Sequence, residues 1–392
     1  MQKFNIAFFS SSDFCIPIAQ DILESNGKTL FQIYSEQVIA FKTKSAYSLN
    51  FPDNFDIHDI PELDIPICFA LVVSQPDSDN RGKIIPNPVS KWARENKLNL
   101  FTPESFNKSK NEQDVKIDIA ITASFGQIIS DDSLVWSQNG FLNWHPSLLP
   151  LYRGATPMQS AIKNGDVESG LSWINMTKGL DEGHIFLQFR TNVENDDFGT
   201  LSARLGQLGV STWAIAIVNK LISKKLAQDS NKVSFCSKLS KEDRLINPAE
   251  QTANEIYNQF RAFSVFPGTS FVDDYFGEEI KIIEARSNTV IQSEAKNPPA
   301  NENGLSSQRE VAAKLKEGVL LTQTTEHQTF IKNITPAHEI KPTQYHNWLV
   351  TKQSKQQKVY LICKNKTLLE INKIKLSTGK QIDLSGYQFK TK

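Results

Sequence analysis

Apolar and polar positions give the chain two textures. In the first, apolar runs of strand length alternate with amphipathic stretches. Phe4 to Phe9 reads as a buried strand, Ser10-Ser11-Ser12-Asp13 as a loop with capping residues, and the stretch to about Ser25 as a helix. Further strands are expected at Ile67 to Val73, Ile117 to Ala123, Phe141 to His145, Leu171 to Met176 and Ile185 to Val193, with a helix near Val89 to Asn96. This order predicts an α/β domain built on an open, mostly parallel sheet. Thr156 suits an N-cap, Pro157 a first helical position and Gly165 a left-handed stop, so another helix is expected between them. One long amphipathic helix from about Thr200 to Leu226, with a stripe of Leu201, Leu205, Leu208, Trp213, Ile217 and Leu221, should close the domain. Residues 26–66 mix Phe and Ile with Asn, Asp, Pro and Ser, and read as an insertion, not a core element.

After Lys232 the texture changes. Short strand-like runs at Phe271-Val272, Ile280 to Ala285, Val319 to Thr322 and Val359 to Ile374 predict a small β-rich domain, entered by a helix from about Pro248 to Phe263. Residues 292–308 and 335–357 are rich in Asn, Gln, Ser, Lys and Pro and read as flexible insertions within it. The expected boundaries are 1–226 for the first domain, 227–236 for a linker and 237–392 for the second domain.

A length of 392 residues suits two domains, and 39% hydrophobic with 22% charged residues excludes a disordered or collagen-like chain. No apolar run reaches the ~20 residues that cross a bilayer, and Met1-Gln2-Lys3 leads directly into strand-like sequence. A cytoplasmic monomer of bacterial type, without a membrane partner, is therefore expected. Cys15, Cys68, Cys236 and Cys363 lack CxxC spacing, which predicts neither a disulfide framework nor a metal site. Charge balances at 43 basic and 43 acidic residues, yet 331–392 carry twelve lysines against Glu339, Glu370 and Asp383. That tilt suggests an anionic partner, although a solvated lysine-rich surface reads the same way.

The densest chemistry lies in Asn143-Trp144-His145-Pro146-Ser147-Leu148-Leu149-Pro150 and the following Leu151-Tyr152-Arg153-Gly154-Ala155-Thr156-Pro157-Met158-Gln159. Alternation along a strand puts Asn143 and His145 on one side and Trp144 on the other. They stand at a strand's carboxyl end, where open α/β sheets bind ligands. Gly179-Leu180-Asp181-Glu182-Gly183 is the second signal, its glycines allowing a tight or positive-φ backbone that brings Asp181 close to a ligand or loop. An amide donor, an imidazole and a carboxylate suit nucleophilic attack on a carbonyl. Taken singly, each has a plainer reading, as a structural histidine or a turn-forming aspartate; the combination is what carries the chemistry. His184 competes for the imidazole role but reads as a pocket-edge residue.

The pairing of Asn-x-His-x-Ser-Leu-Leu-Pro with Gly-x-Asp-x-Gly resembles the folate-dependent formyltransferases. Further likeness runs through Ile6-Ala7-Phe8, Ser12-Asp13-Phe14, Gln75-Pro76-Asp77, Arg81-Gly82-Lys83, Pro86-Asn87-Pro88-Val89, Lys238-Leu239-Ser240-Lys241-Glu242-Asp243, Arg261-Ala262-Phe263, Phe266-Pro267-Gly268 and Thr378-Gly379-Lys380. The resemblance implies a Rossmann-like α/β domain followed by a smaller, OB-like β-barrel that meets tRNA. It implies Asn143, His145 and Asp181 as a catalytic trio, Ser147, Leu148, Leu149 and Pro150 as a folate-contacting loop, and Arg81, Lys83 and Arg153 as tRNA contacts. Its donor would be 10-formyltetrahydrofolate, with no metal, and its acceptor the amino group of initiator methionyl-tRNA. Ser78-Asp79-Asn80 and Ile84 depart from the usual basic tRNA loop, which weakens that part of the likeness. Two alternatives stay open: a formyltransferase acting on an aminosugar nucleotide or glycinamide ribonucleotide, which shares the trio, and a tRNA- or folate-binding protein without turnover. Gly154-Ala155-Thr156-Pro157 and the Arg81 to Val89 loop favour the tRNA acceptor over the first, and the intact trio speaks against the second.

Overall fold

The computed structural model describes residues 2–43, 61–80, 82–286, 343–345, 347–353 and 356–389. Arg81, the stretch 292–308 and the strand expected at Val319 to Thr322 lie outside the described residues. Two compact units form, Met1–Ile162 with Asp166–Lys238, and Lys163–Gly165 with Leu239–Lys392.

The first unit begins β1 (Phe4–Ser10), α1 (Ile16–Glu24), α2 (Leu30–Thr43) and β2 (Ile67–Val73). A hairpin of β3 (Ser78–Asn80) and β4 (Lys83–Ile85) follows, then α3 (Pro88–Glu95), β5 (Leu100–Phe101), β6 (Ile119–Ala123), β7 (Phe141–His145), β8 (Arg153–Gly154) and α4 (Pro157–Asn164). The unit ends with β9 (Glu168–Asn175), β10 (Ile185–Asn192), α5 (Phe198–Val210), α6 (Trp213–Leu221) and β11 (Phe235–Cys236). Seven strands make one sheet in the order β10-β9-β7-β6-β1-β2-β5. β1, β2, β5, β6 and β7 pair in parallel, whereas β9 runs antiparallel to β7 and β10 antiparallel to β9. Both faces are covered, which is why β1 and β6 read as nearly unbroken apolar runs. On one face Phe9 packs edge-on against Phe106, Phe125 and Phe141 at ring-centroid distances of 4.8, 5.3 and 5.2 Å. On the other lie Phe14 and Trp144, 6.0 Å apart.

Three expectations for this unit need correction. Residues 26–66 are not wholly an insertion: Leu30 to Thr43 is helical, Leu30 and Ile33 are buried, and α2 packs against α6. The apolar periodicity is broken because Gln37 is buried on the same face as Leu30 and Ile33 and Ile39 is exposed, while residues 44–60 fall outside the described residues. The long helix from Thr200 to Leu226 is two helices bent by 52°. Thr212 leaves helical geometry at φ −141°, donates its hydroxyl to Leu208 O at 2.6 Å and accepts the Trp173 indole N–H at 2.9 Å. The new helix is capped from a distance, since the buried Gln37 side chain accepts from Ala214 N and Ile215 N and donates to Val210 O. Gln37→Leu strands those three groups in the interior, so urea unfolding should show a loss of about 1–3 kcal/mol with an unchanged m-value. The linker assigned to 227–236 belongs to the first unit, because Phe235–Cys236 pairs in parallel with Arg153–Gly154.

The second unit holds α7 (Ala253–Ala262), β12 (Ser270–Asp273), β13 (Glu278–Arg286), β14 (Thr343–Tyr345), β15 (Trp348–Gln353), β16 (Gln356–Ile362), β17 (Leu368–Lys375) and β18 (Gln381–Asp383). They form one antiparallel sheet, ordered β12-β13-β17-β16-β15-β14 with β18 on β17, curled into a half-barrel. The expected run from Val359 to Ile374 is two strands, turned at Asn365 with φ 56°. The flexible insertion placed at 335–357 is also corrected. β14 and β15 pair there, and Trp348 and Leu349 are fully buried, part of a short apolar run with Val350 that the surrounding polar stretch masks in the sequence. Trp348 donates its indole N–H to Asp273 at 2.8 Å, and burial raises the Asp273 carboxyl above its ordinary value.

Candidate functional site

The site grows from the carboxyl end of β7. Pairing with β6 and β9 fixes Asn143 and His145 on one side of the sheet, and Trp144 is buried on the other. Asn143 is orientated by Thr122 on the neighbouring strand, whose hydroxyl donates to Asn143 Oδ1 at 2.9 Å. The amide nitrogen then points at Asp181 and donates to Oδ1 at 3.3 Å. His145 Nδ1 lies 3.5 Å from Asp181 Oδ2, and the same oxygen accepts the Gly154 N–H at 2.9 Å. The three side chains separated in sequence therefore meet around one carboxylate.

Imidazole tautomerism follows from the partners. His145 Nε2 is 3.0 Å from the Tyr152 carbonyl, a group that only accepts, so Nε2 carries hydrogen. In the neutral ring the Nδ1 lone pair faces Asp181, leaving a place for a single proton between them. His145 is buried, with its side chain 5% exposed against 15% for Asp181, so this place is poorly hydrated.

The turn that carries Asp181 departs from expectation in an instructive way. Positive φ falls on Asp181 itself, at 47°, and not on either flanking glycine. A Cβ on Gly183 would sit 1.8 Å from the Asn175 carbonyl oxygen, so this position is glycine because the backbones touch. At Gly179 a Cβ would meet the carboxyl of Glu182, which itself accepts the Gly179 N–H at 3.1 Å. Gln228 completes the turn by donating to Asp181 O at 2.7 Å and Gly183 O at 2.8 Å. Reading the sequence missed Gln228, which lies far from any motif in what looked like a linker.

The proposed folate loop is closely braced. Ser147 donates its hydroxyl to Leu151 O at 2.6 Å, Leu149 N donates to Ser172 Oγ at 3.1 Å, and Gln188 donates to Leu149 O at 3.0 Å. Ser147, Leu148 and Leu149 are buried and Pro150 is partly buried, so these side chains shape the loop from within. The nearby Cys236 thiol accepts from Thr156 N at 3.4 Å, and burial raises its pKa, keeping it protonated. All four cysteines are free thiols.

Among the expected tRNA contacts, Lys83 stands exposed on β4 beside exposed Ile84 and Ile85, in a hairpin whose Asp79 accepts from Gly82 N. Arg153 does something different: Nε and Nη2 both donate to Gln228 Oε1, at 3.1 and 2.8 Å, tying the Tyr152 turn to the Asp181 turn. His184 lies outside the trio, as a lining residue of a separate cavity.

Comparison with known proteins follows the same division. Residues 58–217 match the formyl transferase family model, and residues 238–351 match the formyl transferase C-terminal domain model. A methionyl-tRNA formyltransferase of Mycoplasmopsis pulmonis is 34% identical over 245 residues, 59% of this chain and 84% of that protein. One from Syntrophomonas wolfei is 36% identical over 240 residues, 58% of this chain and 73% of that protein. The solved methionyl-tRNA formyltransferase of Clostridium thermocellum superposes with a TM-score of 0.45 at 13% identity, covering 73% of this chain and 94% of that one. With a third of its aligned residues shared and most of each relative's length covered, the chain belongs to the methionyl-tRNA formyltransferase family.

Proposed function

We propose that the chain transfers the formyl group of 10-formyltetrahydrofolate to the α-amino group of initiator methionyl-tRNA, for translation initiation in a bacterial-type cytoplasm. The observation that carries this is the meeting of Asn143, His145 and Asp181 around one carboxylate in a member of this family. In the reaction the amine nitrogen attacks the formyl carbon, its new C–N bond replaces the bond to N10 of the folate, and one amine proton ends on N10. Asp181 with His145 Nδ1 receives the proton as the amine attacks and returns it to the departing nitrogen. Asn143 keeps a second amide hydrogen for the oxygen that becomes negative in the tetrahedral intermediate. Both His145 nitrogens already face partners, so the imidazole serves proton handling more than the oxyanion.

Ser147 to Pro150 would border the folate as a loop made rigid by its own hydrogen bonds, with Lys83 reaching the tRNA and Arg81 beside it in sequence. The deciding experiment supplies purified protein with 10-formyltetrahydrofolate and either Met-tRNA or an aminosugar nucleotide. Formylation of the Met-tRNA amine is expected; preference for the sugar amine would overturn the acceptor.

Charge adds a further expectation. If lysines of the second unit contact phosphates, affinity for tRNA should fall with log[salt] at a slope of about −0.7 to −0.9 per contact. Replacing the exposed Lys364 and Lys380 by Ala should flatten that slope by about one to two units without altering kcat. Fluorescence titration from low to physiological salt measures both effects, and an unchanged slope would remove these lysines from the interface. Truncation at Ile331 is a poorer test, because it would remove β14 to β18 and with them the buried Trp348, Leu361 and Ile371.

A further inference from the structure

We propose that a cavity of the first unit, distinct from the Asn143, His145 and Asp181 site, binds a phosphate-bearing anion. The cavity holds about 310 Å³ and is lined in part by Asn139, Asn175, His184, Phe186, Lys220 and Lys225. Among the described residues that line it none is an acid, and two lysines and an imidazole face it. Lys220 is the centre of the argument. Its ammonium donates to Asn175 Oδ1 and stands 5.0 Å from the centroid of the Phe186 ring. A neutral amide and an aromatic face attract the charge without neutralising it.

Burial therefore costs this group heavily and pushes its pKa down to about 8. Lys220 stays charged at neutral pH, in a cavity whose described lining residues offer no carboxylate. Placement in the last turn of α6 explains a lysine here through the helix dipole. It does not explain a second lysine and a histidine around the same space. A phosphate oxygen accepts charge-assisted hydrogen bonds from all three, and Phe186 offers a flat apolar wall to the organic part of such a ligand. The amides of Asn139 and Asn175 each donate once to a backbone carbonyl, Asp118 O and Met176 O, and keep one hydrogen apiece. His184 follows Gly183, and its carbonyl accepts the Asn175 N–H at 2.9 Å, so the cavity adjoins the back of the turn that carries Asp181.

The probe is inorganic phosphate, titrated calorimetrically into the full chain at pH 7 with ionic strength held constant by NaCl. Binding is expected for the native chain and should weaken at least tenfold in Lys220→Met, which keeps the apolar stem over Phe186 and removes the charge. Lys225→Ala, at the solvent side, should weaken it severalfold and guards against a folding defect in the first variant. In the NMR titration of the Lys220 side chain, phosphate should move its pKa upward from about 8. Absence of phosphate binding by the native chain, or binding by both Lys220→Met and Lys225→Ala equal to that of the native chain, would overturn the proposal. Displacement of phosphate by tRNA would assign the anion to the RNA backbone, and indifference to tRNA would assign it to a free phosphate compound; both retain the site.

Discussion

Asp181→Asn is expected to reduce kcat for formyl transfer by at least ~10²-fold while leaving thermal unfolding nearly unchanged. The substitution preserves shape. Asn can still accept the Gly154 N–H through its side-chain oxygen, and the Asp181 carbonyl still receives Gln228. What disappears is the negative charge facing His145 Nδ1 and the ability to take up a proton. An amide nitrogen placed toward Asn143 would also oppose a donor with a donor, turning Asn143 away from the reacting oxygen. His145→Ala should lower kcat by a comparable factor. Steady-state kinetics with Met-tRNA separates the effect on kcat from that on KM, and near-native turnover in either variant would exclude that residue from proton transfer.

The second large effect belongs to Gly183→Ala. The new methyl carbon would lie 1.8 Å from the Asn175 carbonyl oxygen and 2.8 Å from its carbon, both fixed in β9. No side chain can yield, so either the strand end or the Asp181 turn must shift. A loss of about 1–3 kcal/mol is expected, in the range of overpacked interiors, together with a drop in kcat. The same substitution at Gly179 should cost much less, because there the Cβ meets only the far end of Glu182. Comparing chemical denaturation midpoints of the two variants checks the contrast. Equal stability would show that the approach to Asn175 is not what selects glycine.

The proposed chemistry and the fold were legible in the sequence to different depths. Asn143 and His145 share a strand, so period-two alternation alone places them on one side, and the ligand-binding character of that strand's carboxyl end follows from the α/β order. Asp181, on a separate turn, was joined to them by the chemistry of the combination and by the family likeness, not by periodicity. Of the two reasons its glycines suggested, a tight or a positive-φ backbone, only the first holds: the unusual backbone angle is on Asp181, and Gly183 answers to a neighbouring strand. Gln228 and the Arg153 pairing left no local mark, since an isolated glutamine in a polar stretch looks like any other. The same blindness hid α2 and β15, where polar residues share an element with Leu30, Ile33, Trp348 and Leu349.

By itself, then, the sequence determined what depends on near neighbours along the chain: which runs are strands, where Asn143, Trp144 and His145 point, and the division into an α/β half and a β-rich half. Tertiary structure alone decided that Gln37 caps α6, that the stretch through Cys236 belongs with the first unit, and that Arg153 joins two turns through Gln228. Periodicity records the face an element buries. It holds nothing about which distant group will satisfy a buried amide or carbonyl, because that partner is chosen only when the elements pack and water is excluded.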